Sequence, residues 1–209
     1  MADIQYNFIN LPSRIEFENG HVISYLYDAD GIKLRTTHII GSDTTVTDYC
    51  GNVIYENGIP VKLLTEAGYV TLADSKYHYF VQDHLGNNRV VVDQSGNVEE
   101  VNHYYPFGGL LSSSVSNAVQ PYKYNGKELD RKNGLDWYDY GARMYDAALG
   151  RWHAVDPMSE KYYSISSYVY GLNTPHNCID PDGQKIIFVN GYLGFGSPRG
   201  GGTYWGGVN

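Results

Sequence analysis

The chain has 209 residues, enough to bury a substantial core in one large domain or two small ones. Its net charge is −8, and its 15 Lys and Arg are scattered, which excludes an electrostatic footprint for nucleic acid. The 24 Gly and 21 Tyr favour an all-β class, because Tyr suits half-buried strand faces and Gly without a three-residue period marks turns rather than collagen. No apolar run reaches the length of a membrane span, and Met1–Gln5 opens without a basic-then-apolar signal region. The expectation is a stretch with no signal peptide of its own, secreted or displayed at a cell surface as part of a longer parent.

Residues 3–58 alternate strand-like runs with turn signals. His21–Asp28 places His21, Ile23, Tyr25 and Tyr27 on one face and Val22, Ser24 and Leu26 on the other. Asp30-Gly31 then suits a tight hairpin, since both positions tolerate positive φ. The spacing predicts further strands over Lys33–Ile40, 44–49 and 53–56, separated by Gly41-Ser42-Asp43 and Gly51-Asn52 and closed by Asn57-Gly58. This reads as a meander of antiparallel hairpins. The unit recurs: Tyr27-Asp28-Ala29-Asp30-Gly31, then Asp83-His84-Leu85-Gly86, then Asp93-Gln94-Ser95-Gly96. A short unit that cannot bury its own face and stacks on its neighbours is the mark of repeat architecture.

Residues 108–121 are Ser- and Gly-rich without alternation and are expected to form a flexible loop. From Tyr138 to Gly183 the chain is dense in Tyr, Gly and Pro, with Asp-Pro steps at Asp156-Pro157 and Asp180-Pro181. Pro157–Tyr163 is the best short helix, with Asp156 as its cap. Lys185–Val189 reads as a buried strand, and the Gly-rich residues after it satisfy neither a phosphate-loop nor a nucleophile-elbow pattern. Cys50 and Cys178 have no zinc spacing and are expected to be buried or inert thiols rather than a disulfide. Of the seven histidines, His153 and His176 lie nearest the Asp-Pro steps, and none has metal-ligand spacing.

The Tyr-Asp-x-x-Gly unit resembles the YD repeat of Rhs-type proteins. Residues 138–183 resemble the Rhs repeat-associated core through Ala142-Arg143-Met144-Tyr145, Leu149-Gly150-Arg151-Trp152, Asp156-Pro157, Tyr168-Val169-Tyr170, Asn173-Thr174-Pro175 and Asp180-Pro181-Asp182-Gly183. Upstream, Gln82–Asn87, Tyr105–Gly108 and Tyr124–Glu128 also match, so the ordered set covers about residues 20–183.

The resemblance implies an all-β fold in which hairpin repeats form part of a β-shell and an irregular core plugs one end. It divides the chain into YD-like hairpins over 1–107, the loop 108–121, the core 122–183, and the truncated start of a variable cargo over 184–209. So short a chain supplies only the last turns of such a shell, leaving an open sheet with exposed edges. The function implied is a module of a polymorphic toxin that encapsulates a C-terminal toxin. Its partners would be the rest of the longer chain, that toxin, and an immunity protein.

Some relatives in that family cut themselves just after the Asp-Pro-x-Gly motif. Carried over, Asp156 and Asp180 would be the paired carboxylates and Arg151 the polarising cation, with the scissile bond at Gly183 and Gln184. Any enzyme activity would be this aspartyl-type autoproteolysis, with no cofactor and no substrate in trans. The chain departs from the cleaving pattern at Gln184, where an apolar residue is usual, and in 158–167, where Glu160 is the only carboxylate. If both Asp-Pro steps are only turns, Asp accepts backbone hydrogen bonds and Pro fixes φ. A different class of function, a non-catalytic cell-surface or secreted protein whose Tyr-rich faces bind carbohydrate or protein, fits the composition as well.

Overall fold

The computed structural model describes residues 3–112, 114–116, 120–161 and 163–189. It is an all-β structure. Twelve strands form one antiparallel meander in which every strand pairs only with its sequence neighbours. They are β1 (Asp3–Tyr6), β2 (Pro12–Glu16), β3 (Val22–Tyr27), β4 (Lys33–Ile40), β5 (Asp43–Cys50), β6 (Val53–Glu56), β7 (Ile59–Thr65), β8 (Gly68–Thr71), β9 (Lys76–Gln82), β10 (Asn88–Asp93), β11 (Val98–Val101) and β12 (Val115–Ser116). The sheet is open, with β1 and β12 at its edges. β12 corrects the expectation for 108–121: two residues of the Ser-rich stretch pair with Glu100 and Val101.

The recurring Asp explains the turns. Asp28 Oδ1 accepts the amides of Asp30 and Ile32, Asp83 Oδ1 those of Leu85 and Asn87, and Asp93 Oδ1 those of Ser95 and Asn97. The Gly three residues after each Asp has positive φ, which costs Gly little. One side chain therefore satisfies two turn amides while Gly reverses the chain. Alternation holds in the strands: Ile23 and Tyr25 are buried whereas Leu26 is 54% exposed.

Gly68 answers to a different constraint. It pairs with Tyr79 across the β8–β9 ladder, and a Cβ there would overlap the His78 carbonyl oxygen. Gly68→Ala is expected to destabilise the chain by about 1–3 kcal/mol, as overpacking does. Thermal unfolding of the variant checks it; an unchanged midpoint would show that β8 and β9 separate freely here.

The plug comes next in the chain. β13 (Glu128–Asp130), β14 (Trp137–Asp139), β15 (Met144–Asp146) and β16 (Arg151–Trp152) form a second antiparallel sheet, and β17 (Cys178–Ile179) pairs with β18 (Ile187–Phe188). Its core is aromatic: Tyr124, Tyr138, Tyr140, Tyr145, Trp152 and Tyr170 are all buried together with Leu129. A second cluster joins Ile15, Ile23 and Tyr25 of the meander to Leu135, Trp137 and Met144 of the plug.

Charges complete the attachment. Lys33 pairs with Glu128 at 2.7 Å and Asp139 at 2.6 Å, His38 pairs with Asp130 at 2.9 Å, and Lys123 pairs with Glu100 at 2.5 Å. The plug thus bridges strands from β2 to β11.

Two local expectations are corrected. Over Pro157–Tyr163 the described residues hold no α-helix: a single 3₁₀ turn spans Ser159–Lys161, and Asp156 Oδ1 accepts the Met158 amide at 2.7 Å just ahead of it. Lys185–Val189 contains only the two-residue β18, and Ile187 and Phe188 are 47% and 42% exposed rather than buried. Both cysteines are free thiols, as the sequence leads one to expect, with Cys178 buried and Cys50 exposed. The Gly-rich stretch from 190 onward lies outside the described residues.

Candidate active site

Tyr140 to Arg143 make a tight reversal between β14 and β15, closed by the Tyr140 amide donating to the Arg143 carbonyl at 3.2 Å. The reversal turns the Arg143 side chain inward, where it is 2% exposed. Its guanidinium lies 4.2 Å from the centre of the Trp152 ring. Nη2 donates to Asp156 Oδ2 at 2.9 Å and to Asp180 Oδ2 at 3.3 Å, Nη1 to the Ser167 carbonyl at 3.1 Å, and Nε to the Gly183 carbonyl at 2.5 Å. One planar fork therefore collects both Asp-Pro carboxylates and the carbonyl of the Gly that ends the second motif.

Asp180 begins another Asp-x-x-Gly turn. Its Oδ1 accepts the amides of Gly183, Gln184 and Lys185 at 2.8, 3.0 and 3.2 Å, and Gly183 has φ +77°. This is the turn role open to an Asp-Pro step, yet the second oxygen is committed to Arg143. The Ala142 amide binds the Asp182 carbonyl at 3.1 Å. Gly183 has little room: a Cβ there would stand 3.1 Å from the Arg143 amide nitrogen.

The electrostatics separate the groups. Burial pushes the Asp180 carboxyl above the usual carboxylate value, against Arg143 and three backbone amides that pull it down. Burial also pulls the Arg143 guanidinium below its usual value, with Asp156 and Asp180 opposing; it starts so high that it stays charged at neutral pH. The Asp180 side chain is 1% exposed and that of Asp156 13%, so solvent reaches the pair from the Asp156 side.

The structure thus brings together Asp156, Asp180, Gly183 and Gln184. It places Arg151 elsewhere, on the exposed face of β16, with its guanidinium 5.8 Å from the Tyr168 ring. Arg143 stands where the sequence motif puts Arg151. A signal for this is present in the sequence: on a strand, Trp152 facing inward obliges Arg151 to face outward. His153 packs on the Trp137 ring with centroids 3.6 Å apart, and the His176 carbonyl accepts a 3.4 Å hydrogen bond from His84 Nε2. His153 thus packs against the plug core, whereas His176 is exposed and takes part through its backbone carbonyl.

A repetitive antiparallel meander closed by an aromatic plug defines a shell module, and similarity to known proteins agrees. The Teneurin YD-shell model matches residues 63–175, just over half of the sequence, so the chain belongs to the YD-shell family. Among individual relatives, Salivary gland surface protein 1 of Aedes aegypti is 32% identical over 88% of this chain and 6% of its own length. Toxin subunit YenC2 of Yersinia entomophaga is 36% identical over 46% of this chain and 10% of its own length. The Tc holotoxin pore structure of Photorhabdus luminescens superimposes with a TM-score of 0.73 at 20% identity, covering 91% of this chain and 10% of that one. The chain therefore spans about a tenth or less of each of these.

Proposed function

We propose that this chain is the closing section of a toxin-encapsulating YD shell, and that its plug cuts the peptide bond between Gly183 and Gln184 to free the C-terminal segment. The shell role draws on the family and on the toxin subunits among the relatives; secretion of a longer parent and an immunity partner for its toxin extend the same reading. The cut rests on one observation: Arg143 holds Asp156, Asp180 and the Gly183 carbonyl at once.

In this reading Arg143 Nε polarises the Gly183 carbonyl and stabilises the negative charge that builds on its oxygen. Asp156, on the solvent side, takes a proton from a water that attacks the carbonyl carbon. Asp180, beside the Gln184 amide nitrogen, gives that nitrogen a proton as the C–N bond breaks. The products are a carboxylate on Gly183 and an amine on Gln184. Because burial raises Asp180's pKa, its acid form persists above the ordinary carboxylate range, and the rate is expected to fall as pH rises through that pKa.

Mass spectrometry of the purified chain tests this. A fragment ending at Gly183 is expected, together with loss of the cut in Asp156→Asn. A wild-type chain that stays whole from acid to neutral pH would remove the cleavage reading. The surface-binding alternative has one observation in its favour: Tyr77 and Tyr79 lie near-parallel on the open face of β9, 50% and 43% exposed, with ring centres 6.5 Å apart.

A further inference from the structure

A second cation grips the Asp180–Gly183 turn. Lys127 leaves the 3₁₀ turn Tyr124–Gly126 and donates from Nζ to the Pro181 carbonyl at 2.5 Å. Its ammonium lies 5.3 Å from the centre of the Tyr140 ring, and Tyr140 packs edge-on against Trp152, the ring beneath Arg143. The backbone that carries Lys127 is itself fixed to the meander. The Asn125 amide donates to Asn87 Oδ1 and Asn125 Nδ2 donates to the Leu85 carbonyl, both at 2.8 Å.

We propose that Lys127 is a positioning residue for cleavage at Gly183, holding the Asp180–Gly183 turn against Arg143 and supplying Asp180 with a second nearby cation. This rests on the cleavage reading of the Arg143 site. The two cations act on different parts of one turn: Lys127 on the Pro181 carbonyl, Arg143 on the Asp180 carboxylate and the Gly183 carbonyl. With both ends held, the 183–184 peptide keeps its carbonyl on Arg143 and its nitrogen on Asp180. Three carboxylates, Asp139, Asp180 and Asp182, favour the Lys127 ammonium while burial opposes it and prevails. Facing Asp180 are Arg143, the Lys185 amide and Tyr170, with Asp156 across the shared guanidinium and Asp182 in the same turn.

The pH effect has a definite sign. Removing a neighbouring cation disfavours the Asp180 carboxylate, so the acid form lasts to higher pH. Lys127→Met is expected to cut about tenfold more slowly at its optimum and to move the alkaline limb of the pH–rate profile up by about one unit. Lys127→Arg, which keeps the charge, should leave that limb in place. A purely structural Lys127 would slow the reaction at every pH without moving the limb, and that result overturns the proposal. Titrating the Asp180 carboxyl carbon by NMR in the uncut Asp156→Asn chain, with and without Lys127→Met, gives a readout independent of cleavage. An upward move supports Lys127 acting on Asp180, and an unmoved titration sinks it. Should the wild-type chain never cut, the cleavage reading fails, while this titration still decides whether Lys127 acts on Asp180.

Discussion

Arg143→Met is expected to abolish the cut after Gly183 and to lower the unfolding free energy by about 3–5 kcal/mol. Two causes add. Asp180 is 1% exposed and Asp156 13%, so removing the shared guanidinium leaves two buried carboxylates beside each other without the ion pair that joins them. The carbonyls of Ser167 and Gly183 also lose their donors. Methionine keeps much of the side-chain volume, which limits the cavity contribution. Urea unfolding of the variant on an Asp156→Asn background separates stability from cleavage, since neither protein is then cut. Arg151→Met serves as the control: its exposed side chain should cost no more than about 0.5 kcal/mol and leave the cut intact. If Arg151 rather than Arg143 proves indispensable, the assignment of the polarising cation is wrong.

Lys123→Met should be nearly as damaging, although it lies away from the site. Lys123 and Glu100 are 3% and 1% exposed, and their pairing ties the plug to β11. Lys123 Nζ also donates to the Gln120 carbonyl at 2.7 Å, and Gln120 and Asn102 both donate amide hydrogens to Glu100. Taking the Lys123 ammonium away breaks a buried ion pair at Glu100, at a cost of about 3–5 kcal/mol. The double variant Lys123→Met with Glu100→Leu is expected to recover most of that loss, because an apolar pair avoids the desolvation of two ions. Equal destabilisation in the single and double variants would show that the amide network, not the ion pair, holds this seam.

Most of the meander is legible in the sequence because its turns are chemical. Strands Lys33–Ile40 and 53–56 can be read to the residue, since Asp-Gly, Gly-Asn and Asn-Gly pairs mark where φ turns positive. β12 cannot, because Val115 and Ser116 owe their strand to backbone pairing with β11 rather than to their own alternation. In the plug, short strands leave too few residues for periodicity to speak. The Asp-Pro steps reveal the two carboxylates, but Arg143 stands out only as part of a motif. Its inward aim comes from the reversal at Tyr140–Arg143, a three-dimensional fact that spacing does not encode. Lys127 is invisible for the same reason: its bond to Pro181 spans 54 positions.

The strict neighbour-to-neighbour order of the meander has a kinetic corollary. Each strand of β1–β12 needs only the strand just before it, so pairing has low contact order and can advance hairpin by hairpin during synthesis. The plug contacts are the opposite: Lys33 meets Glu128 across 95 positions, and His21 meets Asn133 across 112. Arg143 cannot gather Asp156, Asp180 and the Gly183 carbonyl until residue 183 has been made. The chain thus has a built-in timer, in which the Arg143 cluster is assembled only after the wall is already standing.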